Sequence, residues 1–179
     1  MQEGPGYYSI PRPLTIRLKI KRSEFICTLA PVKNLEQAKQ FISRISKENR
    51  SATHNCWAYI VGDQGQLFHS SDAGEPAGTA GKPMLNALHR HKLTNVAAVV
   101  TRHYGGVKLG VKGLINAYSA AVDEAVSKAR VVPYQRIVCV CVQVTYDYND
   151  ILLNLLKQHT AVIRDTSYTQ MVSHTIDIK

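Results

Sequence analysis

The chain has 179 residues, 45% of them apolar, and its 22 Lys and Arg against 13 Asp and Glu give a formal net charge of +9. That length allows one large or two small domains with a real core. No apolar run approaches the ~20 residues needed to cross a bilayer. The stretch Met1–Ser9 lacks the basic-then-apolar pattern of a secretion signal, so the expected location is the cytoplasm, without membrane association.

The lead-in, residues 1–13, carries Gly4, Pro5, Gly6, Pro11 and Pro13 and reads as loose or extended. Leu14–Ile20 alternates apolar and polar residues as a half-buried strand does. A turn near Lys21–Ser23 leads to a second strand, Glu24–Leu29. Asn34 is placed to cap a helix over Leu35–Glu48, whose Leu35, Ala38, Phe41, Ile42 and Ile45 follow the helical period. Cys56–Val61 reads as a strand, Gly62–Gly65 as a turn and Gln66–His69 as the returning hairpin arm. A loop over Ser70–Gly81 precedes a helix ending at His91. Val96–Thr101 is a continuous β-branched and Ala run, hence a strand buried on both faces. The loop Arg102–Gly110 opens a long helix over Val111–Lys128. After Pro133 come a strand over Arg136–Tyr146, a Leu-rich helix over Asp150–Gln158 capped by Asp147 or Asn149, and strands over Ala161–Ser167 and Met171–Ile178. This β-α-β-β tail has its own pattern, which divides the chain into domains at 1–131 and 132–179.

The cysteines, Cys27, Cys56, Cys139 and Cys141, form no C-x-x-C pair. His54-x-Cys56 has no second ligand pair at zinc spacing. All four are expected to be packing thiols, with no metal and no cofactor. The charge is unevenly spread. Pro76–Val122 contains no acidic residue, yet carries Lys82, Arg90, Lys92, Arg102, Lys108 and Lys112. Such a stretch favours phosphate-bearing partners when its side chains share a face.

Two loops hold the residues suited to that chemistry. In the first, Gly74, Gly78 and Gly81 allow backbone amides to turn toward one point and form an anion nest before a helix start. Ser71 and Thr79 add hydroxyls and Lys82 a charge. Asp72 and Glu75 oppose phosphate unless they hold a cation, pair with a base or fix the loop. In the second, Gly105 and Gly106 permit close backbone approach, Arg102, Lys108 and Lys112 supply charge, and His103 and Tyr104 offer stacking rings. Neither loop matches the Walker pattern, since Gly81-Lys82 is followed by Pro83. Tight packing of the chain against itself accounts for the same glycines. No catalytic motif is present, and an active site would require His54, His69 or His103 to meet Asp72 or Glu75 in space. Trp57, in an apolar strand, reads as core.

The stretches Ser71-Asp-Ala-Gly-Glu-Pro-Ala-Gly-Thr-Ala-Gly-Lys-Pro-Met-Leu85 and Val100-Thr-Arg-His-Tyr-Gly-Gly-Val-Lys-Leu-Gly110 resemble the signatures of the IMPACT/YigZ family. Lys21-Arg-Ser-Glu-Phe25 and His54-Asn-Cys-Trp-Ala58 resemble its earlier landmarks. The resemblance implies an α+β fold. Its N-terminal domain would have a mixed sheet and packed helices like those of a ribosomal protein and of domain IV of elongation factor G. A small ferredoxin-like domain, here shortened, would follow. It also implies translational control, through RNA or the ribosome or, as in eukaryotic members, through a protein partner. Ala73 stands where the family commonly has Asp, Lys112 where it usually has Gly, and Asn116 where it often has Arg or Lys. A tail ending after β-α-β-β would leave a sheet edge for a second copy to cover, making a homodimer.

The first expectation is a non-enzymatic RNA- or ribosome-binding regulator of translation. Its phosphate contacts would be Lys82, Arg102, Lys108 and Lys112, with the amides of Gly105 and Gly106 and the rings of His103 and Tyr104. The first loop, through Ser71, Asp72, Glu75, Gly78, Thr79 and Gly81, would border the same surface. The alternatives are a nucleotide- or phosphate-ligand enzyme with magnesium on Asp72 and Glu75, and a protein-interaction module using the small domain.

Overall fold

The computed structural model describes residues 6–159 and 161–178. They form two compact units, the first ending at Tyr134 and the second starting at Gln135.

In the first unit the elements run β1 (Tyr8–Ser9), β2 (Leu14–Ile20), β3 (Ser23–Pro31), α1 (Leu35–Glu48), β4 (His54–Val61), β5 (Leu67–Ser71), α2 (Gly81–Arg90), β6 (Val96–His103), α3 (Gly110–Lys128) and β7 (Val132–Pro133). The main sheet has the order β2-β3-β6-β4-β5. Every pairing in it is antiparallel, which corrects the expected mixed sheet. The reason is the position of β6. The β3-α1-β4 connection sets β3 and β4 parallel to each other, but β6 inserts between them and runs against both.

Strand alternation divides the sheet into two cores. Phe25, Cys27, Leu29, Cys56, Ile60 and Val100 pack beneath α2 and α3 with Met84, Leu88, Tyr118 and Val122. Ala97, Val99, Tyr59 and Val61 face α1, which contributes Ala38, Phe41 and Ile45. Being covered on both sides, β6 carries the uninterrupted apolar run seen in the sequence. Helix α1 starts where its cap dictates. The Gln37 N–H donates to Asn34 Oδ1 at 2.9 Å, and the Lys33 N–H to Gln37 Oε1 at 2.9 Å.

Two features differ from the sequence reading. The lead-in is anchored from Tyr7 onward. The Tyr8 N–H donates to Lys92 O at 2.9 Å, Tyr8–Ser9 pairs with Val132–Pro133, and Ile10 is buried. Residues 1–5 of that lead-in lie outside the described residues. The β2–β3 turn, Lys21-Arg22, has φ of 44° and 66° in the left-handed region. That is the geometry of a tight hairpin, whose hand suits the strand twist but which normally prefers Asn-Gly.

The second unit contains β8 (Val138–Val144), α4 (Tyr146–Gln158), β9 (Val162–Tyr168) and β10 (Val172–Ile178), with sheet order β8-β10-β9. Val140, Val142 and Val144 stand opposite Ile176, His174 and Val172. The alternate face of β8 carries Cys139 and Cys141, both exposed, so the packing role expected of all four thiols holds for Cys27 and Cys56 alone. Helix α4 begins a turn earlier than expected, with Thr145 at its cap position. Asn149 is used elsewhere, its Oδ1 lying 2.7 Å from His174 Nε2. Among the described residues no helix is long and apolar enough to cross a membrane.

Candidate functional site

The first loop spends its amides on its own carboxylate. Asp72 accepts N–H bonds from Gly78 (2.8 Å), Ala80 (2.9 Å) and Gly81 (2.8 Å). Burial acts to raise its pKa, but the three donors outweigh it and hold the carboxyl below the usual value. The nest expected for phosphate is therefore filled from within the chain. The other loop residues complete this scaffold. The Ala73 N–H donates to Ser71 Oγ at 3.2 Å and Thr79 Oγ1–H to Pro76 O at 2.7 Å. A Cβ at Gly81 would stand 2.7 Å from the Ser71 backbone, so that glycine is required by close approach of the chain to itself.

Glu75 leads to the second loop. It is buried, and Arg102 Nη1 donates to its Oε1 at 2.6 Å, as does the Tyr118 hydroxyl at 2.8 Å. Burial above all, then the neighbouring Cys56 and Glu75, pushes the Tyr118 phenol up, so it stays a donor. The Arg102 guanidinium lies over the rings of Phe25 (5.5 Å) and Tyr104 (5.4 Å). Arg102 is thus a buried structural cation, not an exposed phosphate contact. Arg90, similarly, pairs with Asp123 at 2.8 Å. Two cations of the apparently uncompensated basic stretch, Arg90 and Arg102, are thus paired with acids lying just outside it in sequence.

His54 sits at the edge of this pair. Its Nδ1 lies 3.0 Å from Ala73 O. A carbonyl can only accept, so Nδ1 carries the proton. Its Nε2 stands 3.9 Å from Glu75 Oε2, too far for a hydrogen bond. Cys56 is tied in below, its thiol 2.9 Å from Asp72 O and pushed up to about 12 chiefly by burial. His69 does not join them. It is exposed on the α1 side of the sheet, its ring 5.6 Å from that of Trp57. Trp57 is half-buried and packs against the α1-side core.

The two loops meet in one cavity of about 440 Å³, whose walls include His54, Glu75, Arg102, Tyr104, Lys108 and Leu114. At its rim begins α3, whose cap position is Leu109, with no side-chain cap bond and no acidic residue in the first turn. Uncapped N–H groups and the helix dipole make this end electropositive. Lys108 and Lys112 flank it, both exposed. The Lys21-Arg22 turn completes the group. A Cβ at Gly105 would collide with the Arg22 backbone, and Lys21 shares a neighbouring hollow with Leu109 and Gly113. Among the described residues none of the ion pairs involves Lys21, Arg22, Lys108 or Lys112.

The remaining expected residues are distributed elsewhere. Lys82 lines a separate hollow between α2 and α3 with Arg90 and Asn116. His103 pairs with Glu24 across β3–β6 and so lies on the sheet face opposite Arg102. Tyr104 is exposed. Gly105 serves the contact with Arg22, and Gly106, at φ 84°, the turn itself. Asp72 and Glu75, the carboxylates of the magnesium reading, are each engaged by the chain's own donors. Among the described residues no cluster of three or more His, Cys, Asp or Glu suits a metal. The sequence reading missed Lys21, Arg22 and Tyr118. The first two were quoted as a landmark, but nothing local tied that turn to residues 80 positions away.

The Impact N-terminal domain model matches residues 21–126. The chain is 35% identical over 167 residues to the IMPACT family member YvyE of Bacillus subtilis, covering 93% of this chain and 77% of that one. It is 44% identical over 115 residues to the IMPACT family member YigZ of Escherichia coli, covering 63% of this chain and 56% of that one. A crystal structure of a hypothetical protein, 32% identical, superposes with a TM-score of 0.70 over 97% of this chain and 85% of that one. The chain belongs to the IMPACT family.

Proposed function

We propose that this protein is a cytoplasmic, non-enzymatic regulator of translation that binds RNA, free or in the ribosome, at the start of α3. The observation that carries this reading is the convergence of Lys21, Arg22, Lys108 and Lys112 on an uncapped helix N-terminus beside the exposed ring of Tyr104. Phosphates would lie against the cations and the helix end, and a base against Tyr104. Lys82 would add a peripheral contact. Arg102 and the glycines would act by shaping the loop. The test is RNA binding measured across salt concentrations. Each phosphate neutralised on a single strand contributes a slope of about −0.7, so these cations together give about −2.8. Affinity independent of salt would remove the reading.

The second unit favours an additional protein-interaction role. Tyr148, Ile151 and Leu155 of α4 are exposed there, as are Ile163 and Tyr168 of β9. In this proposal the unit is a shortened ferredoxin-like domain, whose uncovered surface takes a protein partner in translational control or a second copy. Capture resistant to nuclease and high salt supports it, and capture abolished by nuclease opposes it.

A further inference from the structure

We propose that the cavity between the two loops holds one guanine nucleotide, its phosphate at the start of α3 and the donor edge of its base on His54 and Glu75. The inference deepens the reading above, since it rests on the same helix end for the phosphate.

The polar wall selects the base. Glu75 Oε1 is occupied by Arg102 and Tyr118, which leaves Oε2 as the accepting oxygen. Because the His54 Nδ1–H donates to Ala73 O, Nε2 is the acceptor position of the ring. Two acceptors therefore stand 3.9 Å apart, and among the described residues no donor is hydrogen-bonded to either. A ligand bringing two adjacent donors would engage both. Among the RNA bases guanine does this best, through N1–H and the N2 amine. Adenine and cytosine present an amine beside an acceptor, and uracil a single N–H between carbonyls. Hypoxanthine keeps N1–H but lacks the amine.

The rest of the cavity fits the rest of the ligand. Pro76, Val111 and Leu114 supply apolar surface for the faces of a ring. Lys108 and the uncapped α3 amides supply the anion end. Arg102, whose side chain is 7% exposed, also lines the space and has a buried Nε with no hydrogen-bond partner. A volume of about 440 Å³ is of the size that small-molecule pockets have.

The guanine could come from a free mononucleotide or from an unpaired guanosine in RNA, and the experiment separates them. Calorimetric titration of the whole chain with GMP, IMP and guanosine is set beside titration with uridine oligomers with and without a terminal guanosine. GMP is expected to bind about threefold to tenfold more tightly than IMP, which lacks the N2 amine that pairs with His54 Nε2, the effect of one lost hydrogen bond. Guanosine, lacking the phosphate, should also be weaker than GMP. His54→Ala should abolish the GMP–IMP difference, and His54→Gln, which retains an acceptor, should keep part of it. Discrimination by mononucleotides identifies a free nucleotide as the ligand, and discrimination by oligomers alone identifies an RNA guanosine. Equal binding of GMP and IMP together with equal binding of both oligomers overturns the proposal. A guanine preference with no salt dependence on guanosine-free RNA would instead overturn the broader RNA reading and leave the pocket standing.

Discussion

The two glycine-rich loops look alike in sequence and behave oppositely in the fold. Residues 70–81 turn their amides onto Asp72, whereas the second loop gives the Tyr104 and Gly105 amides to the hydroxyls of Thr53 and Ser23 and leaves the start of α3 without a side-chain cap. The difference is one carboxylate. An anion nest that contains a correctly spaced Asp fills itself and becomes a rigid strut, whereas a helix start with no acid in its first turn stays available to an outside anion. The strut is useful to its neighbour. It places Glu75 against Arg102, and that pair forms part of the cavity wall beneath the open loop.

The largest effect should come from separating the strut from the loop it supports. Glu75→Ala leaves Arg102 as an uncompensated buried charge and should cost about 3–5 kcal/mol of stability, read by urea denaturation. Asp72→Asn should cost less, about 1–3 kcal/mol, since one amide oxygen cannot replace two carboxylate oxygens serving three donors. Its pH dependence gives the sign. The folded pKa of Asp72 lies below its ordinary 3.8. Its contribution is therefore full above 3.8 and is lost as pH falls through the folded value. Asp72→Asn should flatten the acid limb of the stability profile, and an unchanged limb would mean that the nest is not filled as described.

Smaller effects sharpen the comparison from the open side. Lys21 and Arg22 occupy left-handed positions that Asn-Gly fits better. Replacing the pair by Asn-Gly should stabilise the protein by about 1 kcal/mol while weakening RNA binding, an exchange of strain for charge at a functional surface. Ala73 has φ of 44° at a position where Asn or Asp is better tolerated than Ala. Ala73→Gly should raise stability by about 0.5–1 kcal/mol, read as a higher Tm, with no change in RNA affinity.

Much of the scaffold was legible because its causes are local. Asn34 and the helical spacing of Ala38, Phe41 and Ile45 define α1, and an unbroken β-branched run defines β6. The candidate site was legible only in part. That both loops were special followed from their glycines, but which one stays open depends on where Asp72 points. Arg102 looked like a free cation because its partner, Glu75, lies 27 positions earlier. The Lys21-Arg22 turn joined the group through backbone packing on Gly105, which no periodicity reveals. The exposed Cys139 and Cys141 were misread for a related reason, since an apolar strand does not say whether one of its faces is left uncovered.

The central claim, that the second loop and not the first meets phosphate, is tested most directly by the salt dependence of RNA binding in two variants side by side. Lys108→Ala with Lys112→Ala should reduce the slope by about 1.4, and Asp72→Asn should leave it as in the parent protein. An unchanged slope in the lysine variant, or a steeper one once Asp72 loses its charge, would contradict the account.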